Sequence, residues 1–257
     1  MSAKKVLVTG AGSGLGKATA LLLAAEGAHL ALLGRTEDEL RQTAIEVEES
    51  GGHALILVAD VANEDEMKTA FAAMKRDFQT LDCVFANAGV NGTWAPIDEL
   101  TYEEWNSTMR INLGGTFLTL SLAVPLMKAH GGSMVITSSI NGTRTFTNGG
   151  ASAYSTTKAG QVALAQMAAL ELAQHRIRVN VICPGAIESE IGDNTEKRNV
   201  ERAAIPANFP EGKVPLTKGK PGKADDVARL VRFLLSEDSG HITGTPIWID
   251  GAQSLLI

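Results

Sequence analysis

An apolar run gives way to glycine at Val6-Leu7-Val8-Thr9-Gly10-Ala11-Gly12-Ser13-Gly14-Leu15-Gly16, after which apolar residues return at helical spacing. The pattern predicts a strand, a tight turn and a helix. A turn this poor in Cβ atoms lets a pyrophosphate reach the backbone. The helix behind it points free N–H groups and the positive end of its dipole at that anion. The spacing is not Gly-x-Gly-x-x-Gly, because Leu15 and Lys17 stand where the last glycine would fall; it is Thr9-Gly10-x-x-x-Gly14-x-Gly16. Taken alone, such a turn serves also as a plain strand-to-helix connection, so the remaining chain has to decide.

Beyond the turn the chain alternates between β and α patterns. Apolar runs at 30–33, 54–58 and 83–86 are separated by helical patterns at 17–26, 37–49 and 64–78. Then come a helix over 103–128, a strand over 134–137, a helix over 154–174, a strand over 179–182, a helix over 224–236 and a last strand over 246–249. The expectation is a single α/β domain over residues 1–257: a three-layer Rossmann fold, with a doubly wound parallel sheet of about seven strands flanked by helices. Capping boxes at Thr36-x-x-Glu39 and Thr101-x-x-Glu104, and the Asn-capped Asn63-x-x-Glu66, mark helix starts.

A net charge of -6 without a basic patch argues against nucleic acid or an anionic membrane as partner. Met1-Ser2-Ala3-Lys4-Lys5 enters the first strand with no apolar signal region, and the uncharged run 111–127 carries Asn, Gly, Thr and Ser, so a cytoplasmic location is expected. Cys83 and Cys183 lie in apolar strand-like runs and read as small buried hydrophobes. His29, His53, His130, His175 and His241 lack metal-ligand spacing and sit near element edges, so no metal site is expected. Helices 103–128 and 154–174 are apolar nearly all round: 113–127 has no charge, and in 159–173 only Gln161, Gln166 and Glu171 are polar. The sheet covers one side of such a helix. A second subunit is expected to cover the other, giving a homo-oligomer, either dimer or tetramer.

Tyr154-Ser155-Thr156-Thr157-Lys158 sets a phenol and an ammonium on one helix face, about 6 Å apart along the axis. A nearby cation favours phenolate and moves the tyrosine toward proton exchange with an alcohol or ketone. Ser139 follows the strand 134–137, at the end where parallel strands meet ligands, and Ser138 is its rival. The spacing Ser139-x-x-Gly142 ahead of Tyr154-x-x-x-Lys158 resembles that of the short-chain dehydrogenase/reductase family and selects Ser139. The glycine turn, Asn87-Ala88-Gly89, Asn112 within Arg-Ile-Asn-Leu, and Pro184-Gly185-Ala186-Ile187-Glu188-Ser189 resemble the same family's elements in the same order. The resemblance spans nearly the whole chain.

The resemblance implies an oxidoreductase that moves a hydride between a nicotinamide dinucleotide and a ketone or secondary alcohol. It implies Tyr154 as general acid and base, and Ser139 as the hydroxyl holding the substrate oxygen. Lys158 would bind the nicotinamide ribose while lowering the Tyr154 pKa, and the Asn112 carbonyl would position a water between Lys158 and solvent. Gly10, Ser13, Gly14, Leu15, Gly16, Asn87, Ala88, Gly89, Pro184, Gly185, Ile187 and Ser189 would line the cofactor, with Asp60 and Val61 at the adenine. After the second strand comes Gly34-Arg35-Thr36, where an NAD site wants a carboxylate. Arg35, with Ser13 and Thr36, suits a 2′-phosphate, so NADP(H) is preferred and NAD(H) stays possible. A lyase or isomerase on the same scaffold and a non-catalytic dinucleotide sensor are the alternatives; the intact Lys158 with Gly10, Gly14 and Gly16 argues against the first, and the intact Ser139, Tyr154 and Lys158 against the second.

Substrate choice falls to segments 91–96, 143–152 and 190–214. Trp94, Phe146 and Phe209 offer apolar walls, and Asn141, Arg144, Asn148 and Glu190 offer polar partners for a polyol or carboxylate. A 3-oxoacyl thioester and a sugar-like polyol both remain open. The stretch 190–223, rich in charge, proline and glycine, suits a substrate lid or a solvated loop.

Overall fold

Val6 and Val8 of the first strand face one side of the sheet and Leu7 the other, and all three are fully buried. Burial on both faces is what a central parallel strand requires. In the computed structural model, which describes residues 1, 3–188, 195–204, 209 and 212–256, this strand is β1 (Lys5–Thr9). It is followed by α1 (Gly14–Ala25), β2 (His29–Gly34), α2 (Glu37–Glu49), β3 (His53–Val58), α3 (Glu64–Phe78) and β4 (Cys83–Ala86). Next come a short β5 (Gly92–Trp94), α4 (Tyr102–Met109), a π-helical turn (Arg110–Gly114), α5 (Gly115–Met127), β6 (Gly132–Thr137) and α6 (Ser152–Leu172). The chain ends with β7 (Ile177–Pro184), a short β8 (Thr195–Lys197), α7 (Ala224–Leu235) and β9 (Pro246–Ile249).

The main sheet has seven strands, all parallel, in the order β3-β2-β1-β4-β6-β7-β9. Val8 pairs with Leu32 on one side and Phe85 on the other. Strand order reverses between β1 and β4, so the loops leaving their carboxyl ends diverge and open a crevice there. One core, with Leu23, Leu40, Val47, Val231 and Leu234, packs α1, α2 and α7 on one face. The other, with Met67, Phe71, Leu120, Met127 and Ala165, packs α3, α5 and α6 on the opposite face. This is the three-layer arrangement expected.

Two local expectations need correction. The predicted helix 103–128 is interrupted: residues 110–114 widen into a π-turn centred on Asn112, which is fully buried. The Thr101 capping box forms and Asn63 caps α3, but Thr36 makes no capping hydrogen bond to α2. Its would-be partner Glu39 lies instead against Gly12, where its carboxylate would stand 2.7 Å from an added Cβ. The span Tyr102–Met127 has the length and hydropathy of a bilayer-crossing helix, yet Leu120, Ala123 and Met127 are spent on the core. Its outer side and that of α6 leave Phe117, Met167 and Leu170 exposed. Cys83 and Cys183 are buried free thiols, as expected.

Candidate active site

The crevice floor is made where β1 and β4 end. Thr9 Oγ1 accepts the N–H groups of Asn87 (3.0 Å) and Ala88 (3.1 Å), and Asn87 Nδ2 donates to the Thr9 carbonyl (3.3 Å). The glycine turn is thereby tied to Asn87-Ala88-Gly89. A Cβ on Gly16 would lie 2.0 Å from the Gly10 carbonyl oxygen, so the turn closes only because that position is glycine. Ser13, the residue before α1, contributes no capping hydrogen bond, which leaves the first N–H groups of the helix to serve an anion.

Two adjoining clefts meet over Gly10, Ser13, Ala88 and Gly89. Gly14, Leu15, Asn87, Ser139, Tyr154, Lys158, Pro184, Gly185 and Ile187 line one. Arg35, Thr36, Asp60 and Val61 line the other. The structure thus gathers the predicted residues into one groove, apart from Gly16 and Asn112, which support it from behind, and Ser189, which lies outside the described residues along with Glu190. The open glycine cradle, the free helix N-terminus and the flanking hydroxyls fit a dinucleotide.

Ser139 and Tyr154 bring their hydroxyls together on one cleft wall at the mouth of β6. Ser139 Oγ also accepts the Asn141 N–H (3.1 Å), which fixes its rotamer. Ser138, the rival, donates to the Lys158 carbonyl (2.7 Å) from a buried position and is structural. Burial pushes the Tyr154 phenol up from its ordinary pKa, and the Ser139 hydrogen bond draws it partly back. The expected lowering by Lys158 is not seen. The lysine Nζ sits 5.4 Å from the Tyr154 ring centroid and donates to the Thr137 carbonyl (2.9 Å), while burial pulls its own pKa down to about 8. The ammonium remains mostly charged at neutral pH, and it is the phenol's own desolvation that sets the direction of its shift.

Asn112 holds the floor from below. Its Oδ1 accepts the Val90 N–H (2.8 Å), and its Nδ2 donates to the Val90 carbonyl (2.9 Å) and to Thr157 Oγ1 (3.1 Å). Its backbone carbonyl was expected to seat a water. Instead it accepts Thr116 Oγ1 (2.7 Å) and Gln161 Nε2 (3.1 Å), which together occupy both lone pairs. Gln161 is the site residue that spacing missed; its only signal was polarity inside an apolar helix face.

At the far end of the groove, Arg35 makes no hydrogen bond or ion pair among the described residues, and neither does the Glu39 carboxylate beside it. Asp60 turns its Oδ1 to the Ala62 N–H (2.9 Å), bracing the strand end it shares with Val61. On the substrate side, Trp94 stands against Tyr154 with ring centroids 6.3 Å apart. The polar candidates are spent elsewhere: Asn148 Nδ2 donates to Asn141 Oδ1 (3.0 Å), and Arg144 stacks 3.5 Å over Trp248. Phe146 is exposed.

The predicted lid is anchored where it is described. β8 pairs in parallel with β5, and Arg198 donates to both oxygens of Glu104 (2.7 and 2.9 Å) and to the Glu99 carbonyl (2.6 Å). Arg198 holds the Glu104 carboxyl down at about 2, and Arg202 pairs with Glu99. Farther on, the Gly222 N–H donates to the Ala186 carbonyl (2.9 Å) and the Leu216 N–H to Gly251 (3.1 Å). The described residues of this segment are thus tied to β5, α4 and the turns after β7 and β9.

Residues 10–252 match the family described as Enoyl-(Acyl carrier protein) reductase. The chain is 37% identical over 257 residues to levodione reductase of Leifsonia aquatica, covering 97% of this chain and 93% of that protein. It is 34% identical over 252 residues to cyclohexanol dehydrogenase of Acinetobacter sp. (strain SE19), covering 98% and 95%. Among solved structures, a 3-ketoacyl-ACP reductase from Sinorhizobium meliloti 1021 is 55% identical, with a TM-score of 0.95 over 98% of this chain and 100% of that one.

Proposed function

The chain belongs to the short-chain dehydrogenase/reductase family, an oxidoreductase acting on CH–OH groups, and from that premise we propose that it reduces a ketone with an apolar body, drawing on NADP(H). The observation that carries this reading is the convergence of Ser139, Tyr154 and Lys158 on one wall of the groove, beside the glycine cradle. Burial keeps the proton on Tyr154 Oη at neutral pH, so the phenol is ready to donate to a carbonyl oxygen as negative charge develops there. Ser139 Oγ donates a second hydrogen bond to the same oxygen and stabilises that charge. Lys158, with a pKa of about 8, exchanges protons near neutrality and would hold the ribose hydroxyls. In alcohol oxidation the same groups run in reverse.

The bound nicotinamide supplies or accepts the hydride, and the protein supplies alignment. Residues 10–16 and the start of α1 would hold the pyrophosphate, Asp60 and Val61 the adenine, and Pro184, Gly185, Ile187 and Ser189 the nicotinamide side. NADP(H) rests on Arg35, whose guanidinium is unspent on the groove rim with Thr36 and Ser13 beside it. Glu39 is a counterweight that narrows the preference over NAD(H).

Trp94 beside Tyr154, with Asn148 bonded to Asn141 and Arg144 stacked on Trp248, favours a cyclohexanone-like ketone or a 3-oxoacyl thioester over a polyol. A second copy of the chain would cover Phe117, Met167 and Leu170. The test is NADPH oxidation with cyclohexanone, an acetoacetyl thioester and a ketose, repeated with Tyr154→Phe. Turnover of the first or second by the wild type, abolished in the variant while NADPH still binds, is expected. A variant as active as wild type refutes the assignment.

A further inference from the structure

Gln161 is the oddity on the inner face of α6. It lies one turn beyond Lys158 on the same buried stripe as Tyr154, Thr157 and Ala165, and it is 1% exposed. Its Nε2 donates both to the Asn112 carbonyl (3.1 Å) and to Thr116 Oγ1 (2.8 Å), and the Thr116 hydroxyl in turn donates to that same carbonyl (2.7 Å). The amide cannot be flipped, because the Asn112 carbonyl only accepts and would face Oε1 in repulsion. Its Oε1 is thereby left buried and without a partner among the described residues. A side chain of this kind in a helix–helix contact is costly where an aliphatic one would pack, and the cost is borne only where the donor is needed.

The need is at the π-turn. Widening the helix over Arg110–Gly114 displaces the Asn112 peptide toward α6, and Gln161 meets it there. With the backbone held, the Asn112 side chain is aimed two ways. It clamps both polar groups of Val90, and it donates to Thr157 Oγ1, which donates to the Tyr154 carbonyl (2.7 Å). Asn112 Oδ1 and Lys158 Nζ then flank Gly89, at 3.1 and 3.7 Å from the position of an added Cβ. Asn112 therefore ties the Gly89–Val90 floor to the helix bearing Tyr154 and Lys158, beside the bonds that hold that helix to the end of β6.

We propose that Gln161 is a positioning residue for the reaction: its amide, through the carbonyl of Asn112, sets the spacing between the Gly89–Val90 floor and the Tyr154–Lys158 face. The inference rests on the oxidoreductase reading above. Gln161→Met keeps length and bulk but removes the donor. Gln161→Glu keeps the shape, donates to the carbonyl while protonated and repels it once ionised. The ionisable side chains on the same stripe are Tyr154 and Lys158; both are common to wild type and the two Gln161 variants, so wild type measured in parallel subtracts their titration.

Steady-state rates of NADPH oxidation are measured across pH for wild type, Gln161→Met, Gln161→Glu and Tyr154→Phe. Hydrogen–deuterium exchange of the segment 87–92 is followed for the same proteins without nucleotide. In Gln161→Met, kcat is expected to fall about tenfold while both KM values stay within about twofold. Exchange at 87–92 should quicken as the Val90 N–H loses its fixed acceptor. Gln161→Glu should approach wild-type kcat at the acid end and fall to the Gln161→Met level as its carboxyl ionises; it carries the test alone if methionine is not accommodated. A wild-type kcat in Gln161→Met with unchanged exchange overturns the proposal and leaves the function reading standing. Equal losses in both variants at every pH, tracking lowered melting temperature, also overturn it by showing a merely structural role. A wild type inactive on every carbonyl overturns both.

Discussion

Gly142 and Gly51 share nearly one backbone conformation, φ +80° and +82°, but differ in what a side chain would meet. At Gly142 an added Cβ would lie 2.1 Å from the Ser155 carbonyl oxygen and 2.9 Å from its carbon, whereas at Gly51 nothing stands within 4 Å. Alanine at such a φ costs about 1–2 kcal/mol in either place. Ordinary contact begins near 3.4 Å, so in Gly142→Ala the loop carrying Ser139 and the start of α6 carrying Tyr154 must part by about 1.3 Å. Forced overpacking of this kind adds about 1–3 kcal/mol, and both atoms are backbone with no rotamer to yield. A total of about 2–5 kcal/mol corresponds to a melting temperature lower by roughly 5–15 °C for a chain of this size. The same parting separates the two hydroxyls, and a misplacement near 1 Å costs about 100-fold in turnover. Gly51→Ala should lose only the backbone contribution and none of the activity. Thermal unfolding by circular dichroism and initial rates with NADPH check both. Indistinguishable melting temperatures for the two variants, or wild-type turnover in Gly142→Ala, would refute the reasoning.

Lys158 makes stability depend on pH. Its native pKa of about 8 lies below the ordinary 10.5, so between those values the unfolded chain holds a proton that the native state does not, and stability rises with pH. Relative to Lys158→Met, wild type should gain on the order of 3 kcal/mol from pH 7.5 to pH 10.5, read from urea midpoints; a constant difference contradicts the buried, desolvated lysine. Glu39→Gln removes the anion beside Arg35 and should tighten NADPH binding about threefold in low salt while leaving NADH nearly unchanged, by fluorescence titration. An unaltered ratio would place Glu39 outside the discrimination. Leu170→Glu puts a charge on the exposed α6 face without touching the core, and should lower the mass seen by light scattering while the circular dichroism spectrum is kept. An unchanged mass rules that face out as an interface.

Most of the architecture was legible because its determinants are local. A buried parallel strand needs a short apolar run and its covering helix a 3.6-residue period, so 37–49, 64–78, 83–86 and 246–249 were read to the residue. The choice of Ser139 over Ser138 was likewise a matter of spacing, and the structure sends Ser138 to the Lys158 carbonyl. What escaped depends on partners far along the chain. Thr36-x-x-Glu39 has every mark of a capping box, but whether Glu39 turns back to cap or lies on Gly12 is settled by a turn 27 residues earlier that its own neighbours do not encode. Gln161 looked like a stray amide because the carbonyl it serves lies 49 residues before it. The composition of 190–223 suited a lid or a solvated loop, and the tie of Arg198 to Glu104, 94 residues earlier, could not be read from it.

The sign of the Tyr154 shift is the most instructive of these failures. A Tyr-x-x-x-Lys spacing states a distance, and from distance alone Coulomb attraction predicts an acidified phenol. Attraction, however, scales inversely with a dielectric that only the packed fold determines, and the same packing desolvates both groups. Here it raises the phenol and lowers the ammonium, so each group is pushed toward its neutral form. A protonated, buried phenol is suited to act as an acid, as the proposed carbonyl reduction requires. If alcohol oxidation were the favoured direction, kcat for it should rise steeply as pH passes about 8, where Lys158 and then Tyr154 give up protons, while reduction falls. Parallel pH profiles for the two directions would mean that neither group titrates in the step that limits turnover.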